Sequence, residues 1–72
     1  PRKPASPLSQ RERQVAALVV RGLTNREIAE TLGIAEKTAN VHIQHILNKL
    51  GFNSRAQIAA WAVTQDLSDR GP

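Results

Sequence analysis

Cysteine, methionine and tyrosine are absent from this chain of 72 residues, and aromatic residues make up only 3% of it. Without cysteine the chain can form no disulfide, and its two histidines, His42 and His45, are too few to complete a zinc tetrahedron. No apolar run approaches the roughly 18 residues of a membrane span, and no secretory or lipidation signal is present. We therefore expect a soluble, cytoplasmic protein that uses no metal or other cofactor and does not bind a membrane.

The groups that enzymes use are also missing. The sequence has no Ser-His-acid grouping, no phosphate-binding loop and no pair of carboxylates placed to face a cleft. Recognition of single-stranded RNA uses aromatic platforms, which a chain with one tryptophan and one phenylalanine does not provide. We expect no catalytic residue, and both an enzyme and an RNA-binding protein are disfavoured.

Acidic residues are scarce in the second half of the chain. Lysine and arginine together number 10 against 6 aspartates and glutamates, which gives a net charge of +4. No acid occurs between Lys37 and Gln65, so one end of the fold is expected to be positive. A polyanion is the first partner to consider, although an ordinary solvated surface can carry the same charge.

The ends of the chain differ in composition from its middle. Residues 1–7 hold three of the four prolines, which predicts an extended linker, and residues 67–72 are predicted to be a tail. Residues 8–66 remain for a single small domain.

Helix signals fill this domain, and the predicted fold is an all-α, compact four-helix bundle. Ala, Leu, Ile, Gln, Glu and Arg dominate, and the alternation typical of strands is absent. Three starts carry a capping box, Ser or Thr followed three residues later by Glu or Gln, and glycines supply the stops. The boxes begin at Ser9, Thr24 and Ser54, and the stops are Gly22, Gly33 and Gly51. The predicted helices span residues 10–21, 25–32, 36–50 and 55–65.

The second and third predicted helices are separated by only three residues, Gly33, Ile34 and Ala35. Such a short connection suits the sharp angle of a helix-turn-helix, with Ile34 filling the corner. We therefore predict a helix-turn-helix motif within the bundle.

The third predicted helix has two different faces. At 100° per residue its apolar residues form one stripe, Ala39, Ile43, Ile46 and Leu50, with His42 at the edge. The opposite face has no acid and carries amides, a lysine, an imidazole and a valine, which are groups that can contact base edges and the thymine methyl. For Val41 alone, an ordinary exposed valine is an equally good interpretation. A packed histidine is the favoured interpretation of His42, ahead of a base contact or a proton switch.

Phosphate contacts are expected from the perimeter of this face, where helix starts and cations lie. The candidates are Thr24, Asn25, Lys37, Thr38, His45, Lys49 and Arg55. Three of them have alternative interpretations: Thr24 as a helix cap, Lys49 as a solvated lysine, and Arg55 as a brace for the chain.

Six segments carry a more specific signal. They are Leu8-Ser9-x-Arg11-Glu12, Gly22-Leu23-Thr24-Asn25-Arg26-Glu27-Ile28-Ala29, Leu32-Gly33-Ile34, Lys37-Thr38-x-x-x-His42, Ile46-x-x-Lys49-Leu50 and Ser54-Arg55-Ala56. Together they resemble the LuxR-type helix-turn-helix, the DNA-binding domain of NarL/FixJ response regulators and quorum-sensing activators. The resemblance covers about residues 8 to 63. It implies a transcription-factor domain that binds double-stranded DNA with helix 36–50 in the major groove.

The resemblance also implies roles for individual residues and partners. By this likeness Asn40, Val41 and Gln44 contact bases, and helix 55–65 pairs two protomers on a two-fold operator. The expected interface residues are Ile58, Ala59, Trp61 and Ala62, although core packing is the favoured role of Trp61. The implied partners are DNA, a second copy in a homodimer that is weak in isolation, and RNA polymerase.

The sequence departs from the family pattern at several places. Ala35 stands where the family usually has a Ser or Thr cap, a change worth about 1 kcal/mol of helix stability. Asn40 and Gln44 stand where many relatives carry lysine or arginine, and each missing cation weakens nonspecific binding. A second hypothesis therefore stays open, a protein-interaction or dimerisation module with weak or residual DNA binding.

Overall fold

The computed structural model describes residues 7–64 and consists of four helices. They are α1 (Gln10–Val20), α2 (Asn25–Leu32), α3 (Glu36–Leu50) and α4 (Arg55–Thr64), and no strand occurs within residues 7–64. The predicted all-α four-helix fold is confirmed. Helix α1 ends one residue earlier than predicted. The predicted last residue of the fourth helix, the tail and all of the linker except Pro7 lie outside the described residues.

Local hydrogen bonds explain where the helices begin. The hydroxyls of Ser9 and Thr24 each accept the backbone N–H three residues later at 3.1 Å, and the glutamate at that position accepts the N–H of the cap. Two of the three predicted capping boxes are therefore confirmed, and the third, at Ser54, forms only in part. At Ser54, Gln57 accepts the Ser54 N–H at 3.1 Å, but the Gln57 N–H donates to the Ser54 backbone carbonyl. Ala35 makes no side-chain cap bond, so α3 begins without one.

The turn between α2 and α3 has the geometry that its residues predict. Gly33 adopts a left-handed conformation, with φ of 70°, which costs glycine no steric strain. The Ile34 N–H then donates to the Ala29 carbonyl at 3.0 Å, which closes the end of α2. Ile34 is half-buried and packs against the core, so the predicted helix-turn-helix is present.

Each helix contributes one large, fully buried aliphatic side chain to the core. These four are Val15, Ile28, Ile46 and Ile58. Helix α1 packs mainly on α4 and α2 packs mainly on α3, while α1 also contacts α3 and joins the two pairs. This arrangement leaves one long face of α3 uncovered.

The longest helix, α3, has 15 residues. Within residues 7–64, no helix is both long and apolar enough to cross a lipid bilayer. The same stretch contains no group of three or more His, Asp or Glu side chains placed to hold a metal ion.

Candidate nucleic-acid interface

The uncovered face of α3 is the one that its helical periodicity predicts. Ala39, Ile43 and Ile46 are buried on one side of the helix. The side chains on the other side are exposed and include no acid: Lys37, Thr38, Asn40, Val41, Gln44, His45 and Asn48. We call these seven residues the outer face of α3. Val41 is 43% exposed, so its methyl groups are available to a partner.

Three side chains link the outer face of α3 to the starts of α2 and α4. The Arg55 Nη1 donates to the Asn25 Oδ1 at 2.7 Å, and its Nη2 donates to the Leu23 carbonyl at 3.0 Å. The Asn25 Nδ2 in turn donates to the Asn40 Oδ1 at 3.4 Å. Arg55 therefore braces the chain, as one of its two sequence interpretations proposes.

A buried carboxylate lies beside the C-terminal half of α3. Glu12 of α1 is 5% exposed, and its Oε1 accepts from the Lys49 Nζ at 2.7 Å and from the Ser9 N–H at 3.0 Å. Its Oε2 lies 3.8 Å from the His45 Nδ1, a contact that becomes an ion pair when His45 is protonated. The sequence predicted a capping box for Glu12 but not its pairing with Lys49. Because of this ion pair, Lys49 is not simply a solvated lysine.

The pKa of Glu12 lies below its usual value as a result of opposing effects. Burial raises this pKa, because the charged form loses hydration. The hydrogen bond from Lys49, the Ser9 N–H and the charge of Lys49 lower it, and together they outweigh burial. The carboxylate is therefore stabilised in its charged form by the fold.

Replacing Glu12 by Gln is expected to lower the free energy of unfolding by about 1–2 kcal/mol at neutral pH, because Lys49 loses a charged acceptor. The pKa of Glu12 is lower in the folded than in the unfolded chain, so the stabilisation is fully present above the ordinary carboxyl range. It is lost as the pH falls through the pKa of the folded state. Urea unfolding of the parent and the Glu12→Gln protein at about pH 7 and about pH 3 measures this difference.

Glu30→Gln is the matched control for this measurement. The Glu30 Oε2 lies 3.5 Å from the Arg26 Nε, and the Glu30 and Arg26 side chains are 67% and 78% exposed, so the loss of this pair should change the free energy of unfolding by less than about 0.5 kcal/mol. An unchanged difference between the parent and Glu12→Gln proteins at the two pH values would contradict the assignment of this stability to Glu12.

The candidate phosphate contacts differ in how much the fold already uses them. Lys37 is exposed and makes no ion pair within residues 7–64. Thr38 and His45 are also exposed, while the Thr24 hydroxyl caps α2. Lys49, Asn25 and Arg55 already have protein partners.

Two of the four residues predicted for the dimer interface on α4 are buried in the core. Ile58 and Ala62 are 0% exposed within the core, so their assignment to the interface is wrong: they have no surface to offer a second protomer. Ala59 and Trp61 are half-buried and pack against the core, which leaves each of them partly accessible.

The exposed apolar residues of α4 form a different stripe. They are Ala56, Ala60 and Val63, and Val63 is 61% exposed. We call these three residues the outer stripe of α4. Their spacing of four and three residues is the signal in the sequence that could have identified them.

Comparison with known proteins gives a family match over most of the chain. Residues 6–62 match the model of the family described as bacterial regulatory proteins, luxR family. The chain belongs to the luxR family. It is therefore a LuxR-family helix-turn-helix domain, homologous to DNA-binding transcriptional regulators, as the motifs in the sequence indicate.

Several LuxR-family relatives are response regulators. The chain is 43% identical over 54 residues to the nitrate/nitrite response regulator protein NarL of Escherichia coli K12, covering 75% of this chain and 25% of NarL. It is 42% identical over 59 residues to the transcriptional regulatory protein MctR of Rhizobium johnstonii, covering 82% of this chain and 28% of MctR. This LuxR-family chain thus spans about a quarter of the length of these curated relatives.

A solved structure supports the same assignment at the level of the fold. The crystal structure of the response regulator ChrA, from a heme-sensing two-component system, is similar with a TM-score of 0.77 and 38% sequence identity. The match covers 90% of this chain and 32% of ChrA. The LuxR-family fold described above is therefore the fold of a response-regulator domain.

Proposed function

We propose that this domain binds specific double-stranded DNA as the effector part of a transcriptional regulator, with α3 in the major groove. The observation that carries the proposal is the outer face of α3, seven exposed side chains without an acid. Amide groups can pair with base edges, and the valine methyls can pack on thymine. Asn40, Val41 and Gln44 are the proposed base contacts.

Phosphate contacts would fix the register of α3 on the duplex. Lys37, Thr38, His45 and Thr24 are the proposed contacts with most of their donors available. The side chains of Asn25, Lys49 and Arg55 already donate hydrogen bonds within the protein. Each would have to contact a phosphate through an N–H group that these bonds do not use. A bacterial regulator that binds DNA in this way would work in the cytoplasm.

Two copies of the domain would pair through α4 on a two-fold operator. The outer stripe of α4 supplies small side chains that allow two helices to approach closely. Ala59 and Trp61 on the same helix are half-buried, so each keeps some surface that a second protomer could contact. The stripe is short, so the homodimer should be weak without DNA. If the domain activates transcription when it is bound to DNA, RNA polymerase would be a further partner.

Selection of bound duplexes from a random DNA pool, at about 50 and about 150 mM salt, tests this function. We expect an enriched two-fold motif whose half-sites lie about one helical turn or less apart. Binding that depends steeply on salt but enriches no motif would contradict sequence-specific recognition.

A second candidate function is a protein-interaction or dimerisation module. The observation that favours it is the ion pair between Lys49 and Glu12, which neutralises one of the few cations of α3. This candidate predicts self-association through α4, with DNA binding that is weak or absent even at about 50 mM salt and that enriches no motif.

Val63→Glu is expected to weaken dimerisation by at least about tenfold, because it places two like charges close together at the pairing surface. The free energy of unfolding should change by less than about 0.5 kcal/mol, since Val63 is 61% exposed. Analytical ultracentrifugation and cooperative binding to a duplex with two half-sites measure the effect. Gln14→Glu, which adds the same charge on the exposed side of α1, is the control. Equal dimer affinity in the parent and Val63→Glu proteins would show that α4 does not pair through this stripe.

A further inference from the structure

The hydrogen bonds from Arg55 through Asn25 to Asn40 have a direction that is fixed by chemistry. A guanidinium group only donates hydrogen bonds, so the Asn25 atom that lies 2.7 Å from the Arg55 Nη1 has to be the carbonyl oxygen. The bond from Arg55 Nη2 to the Leu23 carbonyl, at 3.0 Å, holds the guanidinium at a second point. The orientation of the Asn25 amide is therefore set from α4.

The same logic extends one step further to Asn40. With its oxygen facing Arg55, Asn25 presents its NH₂ group to α3 and donates to the Asn40 Oδ1 at 3.4 Å. An exposed asparagine can otherwise turn its amide over at little cost, presenting either the oxygen or the NH₂ group. Here the oxygen is engaged by Asn25, and the Asn40 NH₂ group has no partner within residues 7–64.

We infer that Asn25 and Arg55 are positioning residues that make Asn40 a hydrogen-bond donor toward DNA. This inference rests on the proposed function, in which Asn40 contacts a base. A donor selects acceptors on the base edge, namely guanine O6 and N7, adenine N7 or thymine O4, and does not match the cytosine N4 amino group. Specificity at this base pair is thus determined partly by two residues that do not touch the base.

Asn25→Asp tests the inference, because it changes the direction of the hydrogen bonds with little change of shape. The carboxylate still accepts from Arg55, but it offers Asn40 only an acceptor. Asn40 then has to turn its amide, donate to the new carboxylate and present its oxygen outward. At the base pair read by Asn40, the preference should shift by about tenfold toward a donor, cytosine N4 or adenine N6.

Two further variants complete the experiment. Asn40→Ala identifies the base pair concerned as the one at which discrimination is lost. Asn25→Ala removes the link without reversing it, so the preference there should relax by about fivefold and not invert. The negative charge of Asn25→Asp lowers affinity for all sequences alike and leaves the ratio between bases at that pair unaffected.

Selection from the random duplex pool, followed by affinities for single-base variants of the best site, gives distinct outcomes. A reversed preference in Asn25→Asp and a relaxed one in Asn25→Ala support the inference. An unchanged preference in either variant overturns it and leaves the proposed function standing, and if Asn25→Asp does not fold, Asn25→Ala decides alone. A parent protein that enriches no motif, or an Asn40→Ala protein with full discrimination, overturns the proposed base contact together with this inference.

Discussion

A domain carrying Gln44→Glu is expected to lose about 100-fold or more in affinity for its specific site while remaining fully folded. Gln44 lies on the outer face of α3, and the substitution keeps the shape of the side chain. It removes the two amide donors and adds a negative charge close to the phosphates. Val41→Glu should act in the same way, because it places a carboxylate where a methyl would meet the thymine methyl. Titration of a labelled duplex with each protein measures the loss, and circular dichroism checks the fold.

Gln14→Glu is the matched control for both changes. It introduces the same charge on the exposed side of α1, so general electrostatic repulsion should cost no more than a few-fold in affinity. Loss of the helical circular dichroism signal in Gln44→Glu would contradict the assignment of this face as exposed. Affinity equal to that of the control would mean that DNA is bound elsewhere.

The second large effect is expected at Ile58, whose side chain is 0% exposed. Ile58→Ala should lower the free energy of unfolding by about 3 kcal/mol, because it removes buried methyl groups and leaves a cavity. Small domains have a total stability of only about 5 kcal/mol, so the midpoint of thermal unfolding should fall by more than about 10 °C. Urea and thermal unfolding at two protein concentrations measure this change and show whether it depends on dimerisation.

Val63→Ala on the same helix separates the two roles that α4 is proposed to have. Val63 is 61% exposed, and its truncation should change the free energy of unfolding by less than about 0.5 kcal/mol. If Ile58→Ala left stability intact and weakened only self-association, Ile58 would belong to the dimer interface after all.

The helix boundaries could be predicted because their causes are local. A capping box or a terminal glycine acts within about four residues, and the two complete boxes at Ser9 and Thr24 are where the sequence places them. The two faces of α3 could be predicted equally well, because its apolar and polar side chains recur with a clear helical period. Helix α4 is rich in alanine, so its period does not define one face, and Ile58 and Ala62 were placed on the wrong side.

The connections behind the candidate interface could not be predicted in this way. Arg55 and Asn25 are 30 residues apart in sequence, and Lys49 and Glu12 are 37 apart. Such pairs depend on how the helices cross, which no local pattern records. For Arg55 the sequence could offer only two interpretations, a phosphate contact or a brace, and the structure shows the brace.

The packing of the first helix on the last one has a consequence for the order in which the domain can form. During synthesis α1, α2 and α3 leave the ribosome before α4, although α1 packs mainly on α4. Until α4 arrives, α1 lacks the helix that covers its apolar side, and the buried positions of Ile58 and Ala62 stay unfilled. At this stage α3, the helix proposed to enter the major groove of DNA, is already synthesised but is not yet held in place by the complete core. A nascent chain that stops before α4 should therefore expose apolar surface to chaperones and proteases and should not compete for operator sites.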